Sequence, residues 1–209
     1  MTTIAIIGLG NMGKGLAKRL AGKADLVLSS RDQAAVTAFA ATLPAGVTVL
    51  DQAAAIAKAD IVVLAMPYAT ARDVAANQAL SGKVVLDMTN PITPDFSGLL
   101  FGFDTSAAEN LQEAAPQARV VKGFNTIFAS LFDRPAAETA GIPVFLAGND
   151  QAAIAAVEDL VKLSGFAVEK TGGIEAARLL EPLGMLNIRL GYGLGHGTDI
   201  APAWTKLGA

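Results

Sequence analysis

Short apolar runs, largely β-branched, recur along the chain at 4–7, 24–28, 61–66, 84–88, 119–121 and 143–147. Runs of this length with no polar alternation predict strands covered on both faces. Two weaker runs, Val47-Thr48-Val49-Leu50 and Phe166-Ala167-Val168, predict further strands. Alanine-rich segments at 12–21, 33–42, 51–58, 70–79, 107–114 and 150–163 separate them and read as helices. Asn149-Asp150 supplies a cap for the last of these and Gly165 a stop. A final helix is expected from Glu175 to Leu190, apolar on more than one face and kinked at Pro182. Alternation of this kind predicts an α/β fold, a doubly wound and mainly parallel sheet with helices on both faces.

The turn between the first strand and the first helix is Gly8-Leu9-Gly10-Asn11-Met12-Gly13, a G-x-G-x-x-G directly after Ile4-Ala5-Ile6-Ile7. Gly8 permits the bend, Gly10 lets a pyrophosphate approach the backbone, and Gly13 lets helix pack on strand. The free N–H groups at the helix start then bind the anion. In this context the motif predicts a Rossmann-type dinucleotide site. The second strand ends in Ser29-Ser30-Arg31. A free ribose 2′-hydroxyl calls for an acid at this tip, whereas a hydroxyl beside a bidentate cation suits a 2′-phosphate. NADP(H) is therefore favoured over NAD(H). The alternative is that Arg31 is solvated and Asp32 only caps the following helix.

With 209 residues the chain suits one α/β domain over 1–209. The net charge of −3 does not suggest nucleic acid or an anionic membrane. Zero cysteines remove disulfides, thiolate nucleophiles and Cys-ligated metals, and one histidine, His196, cannot build a His-rich site, so no metal is expected. Hydrophobic residues reach 52%, yet every apolar run is too short to span a bilayer. No basic region or cleavage site marks an export signal, and a cytoplasmic location is expected.

The dinucleotide fold consumes the chain to about residue 170 and leaves no room for a separate substrate domain. Residues 171–209 are expected to form a helical C-terminal extension. Residues 91–106, with Pro91, Pro94, Phe96, Phe101 and Phe103, form the one long irregular stretch, a lid or an interface segment. The C-terminal helix is either buried in the monomer or part of an interface. Together the two segments predict a homodimer that walls a pocket above the nicotinamide.

The chain resembles the NADPH:coenzyme F420 oxidoreductase family and its relative, the cytoplasmic domain of six-transmembrane metalloreductases. The likeness spans nearly the whole chain. It is carried by Gly8 through Ala17, Ser30-Arg31, Val63 through Tyr68, Thr105 through Glu109, Val121 through Thr126, Ala147 through Asp150, and Ala177 through Leu183. It implies that the glycine loop holds the pyrophosphate and Ser30-Arg31 the 2′-phosphate. It also implies that Met66-Pro67-Tyr68 and Phe124-Asn125-Thr126 lie beside the nicotinamide. Asn90, just beyond the fourth strong strand, joins the candidate cofactor residues. Gln33 through Thr42 lacks the further Lys or Arg that members often carry, which implies a weaker phosphate clamp.

The expected activity is hydride transfer between NADP(H) and a small acceptor such as coenzyme F420 or a flavin. Two stacked rings need little acid–base help, and the sequence offers little. A carbonyl or imine reductase would need a proton donor, for which Tyr68, Lys122 and His196 are candidates. Each also reads as something plainer: a half-buried aromatic, a strand-end surface lysine and a solvated loop histidine. Asn125 either meets the carboxamide or satisfies a loop. A nucleotide-sensing module without turnover is the alternative from another class.

Overall fold

In a computed structural model, which describes residues 2–77, 80–205 and 207, the apolar runs assemble into one eight-stranded sheet. Its strands are β1 (Thr3–Ile7), β2 (Asp25–Ser29), β3 (Val47–Val49), β4 (Ile61–Leu64), β5 (Val84–Asp87), β6 (Arg119–Lys122), β7 (Pro143–Gly148) and β8 (Ala167–Gly172). They lie in the order β3-β2-β1-β4-β5-β6-β7-β8. Neighbours are parallel except β6 and β7, which meet antiparallel through Val121–Gly148 and Lys122–Ala147. Both weak runs are strands.

The helices are α1 (Asn11–Leu20), α2 (Gln33–Ala40), α3 (Gln52–Lys58), α4 (Tyr68–Ala76), α5 (Ala107–Ala114), α6 (Ala136–Thr139), α7 (Gln151–Leu163) and α8 (Ala177–Ile188). α4 starts earlier than its alanine content suggests because Pro67 fixes the backbone just before it. Residues 78–79 of that expected helix lie outside the described residues. Asp32, Asp51 and Asp150 cap α2, α3 and α7, accepting from Ala35, Ala54 and Ala153 N–H at 2.9, 2.8 and 2.7 Å. Gly165, at φ +86°, ends α7 in the left-handed region where a side chain is disfavoured.

Alternate strand residues feed two cores, which explains why the strands read as unbroken apolar runs. Ile4, Ile6, Leu28, Val63 and Leu86 pack with α1 and α7 on one face. Ala5, Ile7, Val62 and Val85 pack with α3, α4 and α5 on the other. Arg19, at the end of α1, is buried without a carboxylate. It donates instead to the carbonyls of Phe132 (2.7 Å), Leu131 (2.9 Å), Arg134 (2.6 Å) and Ser164 (3.2 Å). It thereby ties α1 to the 3₁₀ turn Ala129–Asp133 and to the end of α7.

Residues 91–100 form a small hairpin closed by an Ile92–Leu99 bridge. Phe96 and Phe103 stand exposed, whereas Phe101 packs edge-on against Tyr68 at 5.4 Å. α8 runs unbroken through Pro182, whose missing N–H removes only the bond to the Arg178 carbonyl. Its buried face carries Ala177, Leu180, Glu181, Gly184 and Asn187, while Leu179 and Leu186 point outward and are exposed. No helix among the described residues is long and apolar enough to cross a membrane.

Candidate functional site

β1 is the point at which strand order reverses, with β2 on one side and β4 on the other. Sheets of this kind bind ligands in the crevice beyond the C-terminal ends of the strands at that point. The glycine turn sits there. Gly8 has φ +98°, and a Cβ on it would lie 2.5 Å from the Ala65 carbonyl oxygen. A Cβ on Gly13 would lie 2.0 Å from the Gly8 carbonyl oxygen. Packing therefore excludes a side chain at both positions. Gly10 is different. It precedes α1, is exposed, and a Cβ there would meet no atom within 4 Å. The protein thus leaves the space at Gly10 open.

A cavity of about 250 Å³ opens beside it, lined by Gly8, Gly10, Ser30, Arg31, Met66 and Pro67. Gln52 and Thr70, which sequence reasoning passed over, also line it; nothing in a single sequence separates them from other helix-start residues. Asp32 lies outward, its carboxylate engaged by the α2 cap. Gln33 Nε2 donates to the Ser30 carbonyl at 2.7 Å and fixes the turn that presents Ser30 and Arg31. Ser29 is buried and holds the turn through its carbonyl, which accepts from Gly8 N–H at 2.9 Å. Leu9 and Met12 pack against the core beneath, while Asn11 is exposed.

Beyond the ends of β5 and β6 the surface is built differently. Asp87 and Lys122 are neighbours across the two strands. Lys122 Nζ donates to Asp87 Oδ2 (2.9 Å) and the Thr89 carbonyl (2.6 Å), and lies 2.8 Å from Glu181 Oε1 of α8. Glu181 also accepts from Ala107 and Ala108 N–H, at 3.0 and 3.3 Å, at the start of α5. Burial works against the Lys122 charge, but the two flanking carboxylates outweigh it and hold the ammonium above its ordinary range. Burial likewise pushes the Glu181 carboxyl up, opposed by Lys122 and by the Ala107 N–H.

This corrects both readings of Lys122. It is neither a surface lysine nor an available proton donor, because all three of its N–H bonds are committed in a fully buried group. Asp87 and Glu181 went unnoticed in the sequence. The signal was there, a carboxylate closing the apolar run Val84-Val85-Leu86 and another inside Leu179-Leu180-Glu181-Pro182-Leu183.

Above the triad, Asn90 Nδ2 donates to the Asn125 carbonyl (2.7 Å), and Asn125 Nδ2 donates to Asn90 Oδ1 (3.0 Å) and the Leu180 carbonyl (2.8 Å). These contacts fix both amide orientations. Asn125 Oδ1 is left buried without a partner, as are the hydroxyls of Thr89 and Thr126. Gly184 of α8 lies against the pair, where a Cβ would come within 2.9 Å of the Asn125 carbonyl oxygen. Phe124 departs from expectation. Its ring is fully buried on the α1/α7 face, 5.7 Å from Phe132 and 5.9 Å from Phe166, so it offers the site only backbone, turned at φ +61°. Tyr68 is buried against Phe101, and His196 is exposed in the turns that follow α8.

The arrangement thus holds a glycine turn open at Gly10, an Arg at the second strand tip, and an amide-lined edge at the second half of the sheet. Lys122, committed to its buried partners, supplies no free acid or base there. A family model described as NADP oxidoreductase, coenzyme F420-dependent, matches residues 3–91. The structure is similar to that of a candidate F420-dependent NADP-reductase from Arthrobacter sp. FB24, at 32% identity over 99% of this chain and 100% of that one, with a TM-score of 0.83. A hypothetical protein from Sinorhizobium meliloti matches at 31% identity over 85% and 88% of the two chains, TM-score 0.76. An imine reductase from Aspergillus terreus, solved with NADPH4, shares the fold at 20% identity over 93% of this chain and 63% of that one, TM-score 0.70. The chain belongs to the family of coenzyme F420-dependent NADP oxidoreductases.

Proposed function

We propose that the protein passes a hydride between NADP(H) and a flat, flavin-like small molecule, with coenzyme F420 or a flavin as the acceptor. The observation that carries this reading is the contrast within the glycine turn. Gly8 and Gly13 are dictated by internal packing, whereas nothing in the protein packs against Gly10, which borders the cavity that Ser30 and Arg31 line. In this reading the backbone from Gly8 to Gly13 holds the pyrophosphate at the start of α1. Ser30 and Arg31 take the 2′-phosphate and so favour NADP(H) over NAD(H). Met66, Pro67 and Tyr68 wall the nicotinamide side, and Asn90, Asn125 and Thr126 form its floor, with Phe124 contributing only its turn. When bound, the nicotinamide supplies or receives the hydride; the chain orients it and excludes water.

The commitment of Lys122 to its buried partners weighs against a carbonyl or imine acceptor, which needs a proton delivered with the hydride. The reading takes residues 1–209 as one nucleotide-binding domain acting in the cytoplasm. The 171–209 extension closes the pocket and, with the outward Leu179 and Leu186, supplies a homodimer interface. The test is NADPH oxidation with coenzyme F420, free flavins, ferric chelates and small carbonyls or imines offered separately. Turnover with the deazaflavin or flavins is expected. Turnover confined to carbonyls or imines would contradict the proposal, and binding without any turnover would point to a sensing module.

A further inference from the structure

Asp87, Lys122 and Glu181 place two carboxylates around one ammonium, with side-chain exposures of 0%, 0% and 3%. One carboxylate suffices to pair an ammonium, and an apolar trio of similar volume packs strands equally well. The second carboxylate docks α8 on the start of α5 and brings a second negative charge into the buried cluster. Its ionised form is supported by Lys122 and by two backbone N–H groups at the start of α5. The nearby Glu109–Arg178 pair, joined by three hydrogen bonds, adds no net charge. The triad therefore leaves one negative charge sealed behind the β5 and β6 ends. Lys122 of the same triad holds the Thr89 carbonyl, one residue from Asn90.

We propose that this sealed negative charge biases the bound nicotinamide couple toward its oxidised form. A reduced nicotinamide is neutral and an oxidised one is cationic, so a fixed anion behind the floor stabilises NADP⁺ relative to NADPH. Bound cofactor becomes the stronger hydride donor without any group touching the reacting carbon. Asp87 and Glu181 are then positioning residues acting through the field, and their effect is undiluted by water because the triad is dry. A unit charge acting across about 12 Å at an effective dielectric constant near 20 changes the relative affinity of the two forms by about tenfold. This inference rests on the proposed placement of the nicotinamide at this edge.

Glu181→Gln and Asp87→Asn each remove the surplus charge while keeping shape. Separate calorimetric titrations of NADP⁺ and NADPH into the full chain should show NADP⁺ weakened about tenfold relative to NADPH in both variants. If the triad serves only to dock α8, both cofactor forms weaken alike and the unchanged ratio overturns the inference. Thermal melts identify any variant that fails to fold. The wild type needs no variant: a tenfold preference for NADPH over NADP⁺ there also overturns it. Failure of the wild type to bind either form would instead overturn the site placement.

Discussion

Gly10→Val and Gly13→Ala separate the two demands made on the opening turn. A Cβ at position 10 meets no atom within 4 Å, so Gly10→Val should fold with a nearly unchanged melting temperature and lose cofactor binding in a titration. A methyl group at position 13 meets the Gly8 carbonyl at 2.0 Å, so Gly13→Ala should lose roughly 3 kcal/mol of stability by urea unfolding, ligand absent. Unchanged NADPH affinity in folded Gly10→Val protein would remove the anion from this turn. Arg31→Ala should weaken NADPH by roughly 1.5–3 kcal/mol, about ten- to more than a hundredfold, and leave NADH nearly untouched. Equal weakening of both would make Arg31 structural. The glycines and Ser30-Arg31 were legible because their chemistry is local to one turn. Lys122 and Phe124 were not, because their surroundings come from segments far apart in sequence. Lys122 meets Glu181 of α8, and Phe124 meets Phe166 beyond α7.

Among the elements, α8 shows how periodicity misleads. Its apolar residues suggested either burial or an interface, and the structure divides them. The face turned inward carries Glu181 and Asn187, the latter donating to the Thr126 carbonyl at 3.1 Å, while exposed leucines point outward. A count of apolar positions cannot reveal which face docks when that face mixes Glu181 and Asn187 with Ala177 and Leu180. The six strong strands were legible because each carries an apolar run buried on both faces of the sheet, whereas β3 and β8, only partly buried, left weaker runs. The docking of α8 also depends on Arg178, bidentate to Glu109, whose carboxyl is lowered chiefly by that hydrogen bond. A lowered carboxyl contributes stability above the ordinary glutamate pKa and loses it as pH falls through the lowered value. Acid melts should therefore fall more steeply for wild type than for Arg178→Met; parallel curves would leave the pair without a role in stability.

For the whole molecule, the outward leucines of α8 join exposed Tyr192 and Leu194 after it, and Phe96 and Phe103 stand exposed in the 91–103 segment. Apolar surface of this extent is what monomers usually cover. Static light scattering should give twice the 21.3 kDa chain mass, and a clean monomer at micromolar concentration would force the pocket to be walled within one chain. The central claim, an NADP(H) site built on the glycine turn and Arg31, is tested most directly by titrating NADPH and NADH separately into the wild-type protein by calorimetry. The account predicts one site per chain and NADPH bound at least tenfold tighter than NADH. Absence of binding, or equal affinity for the two, would contradict it.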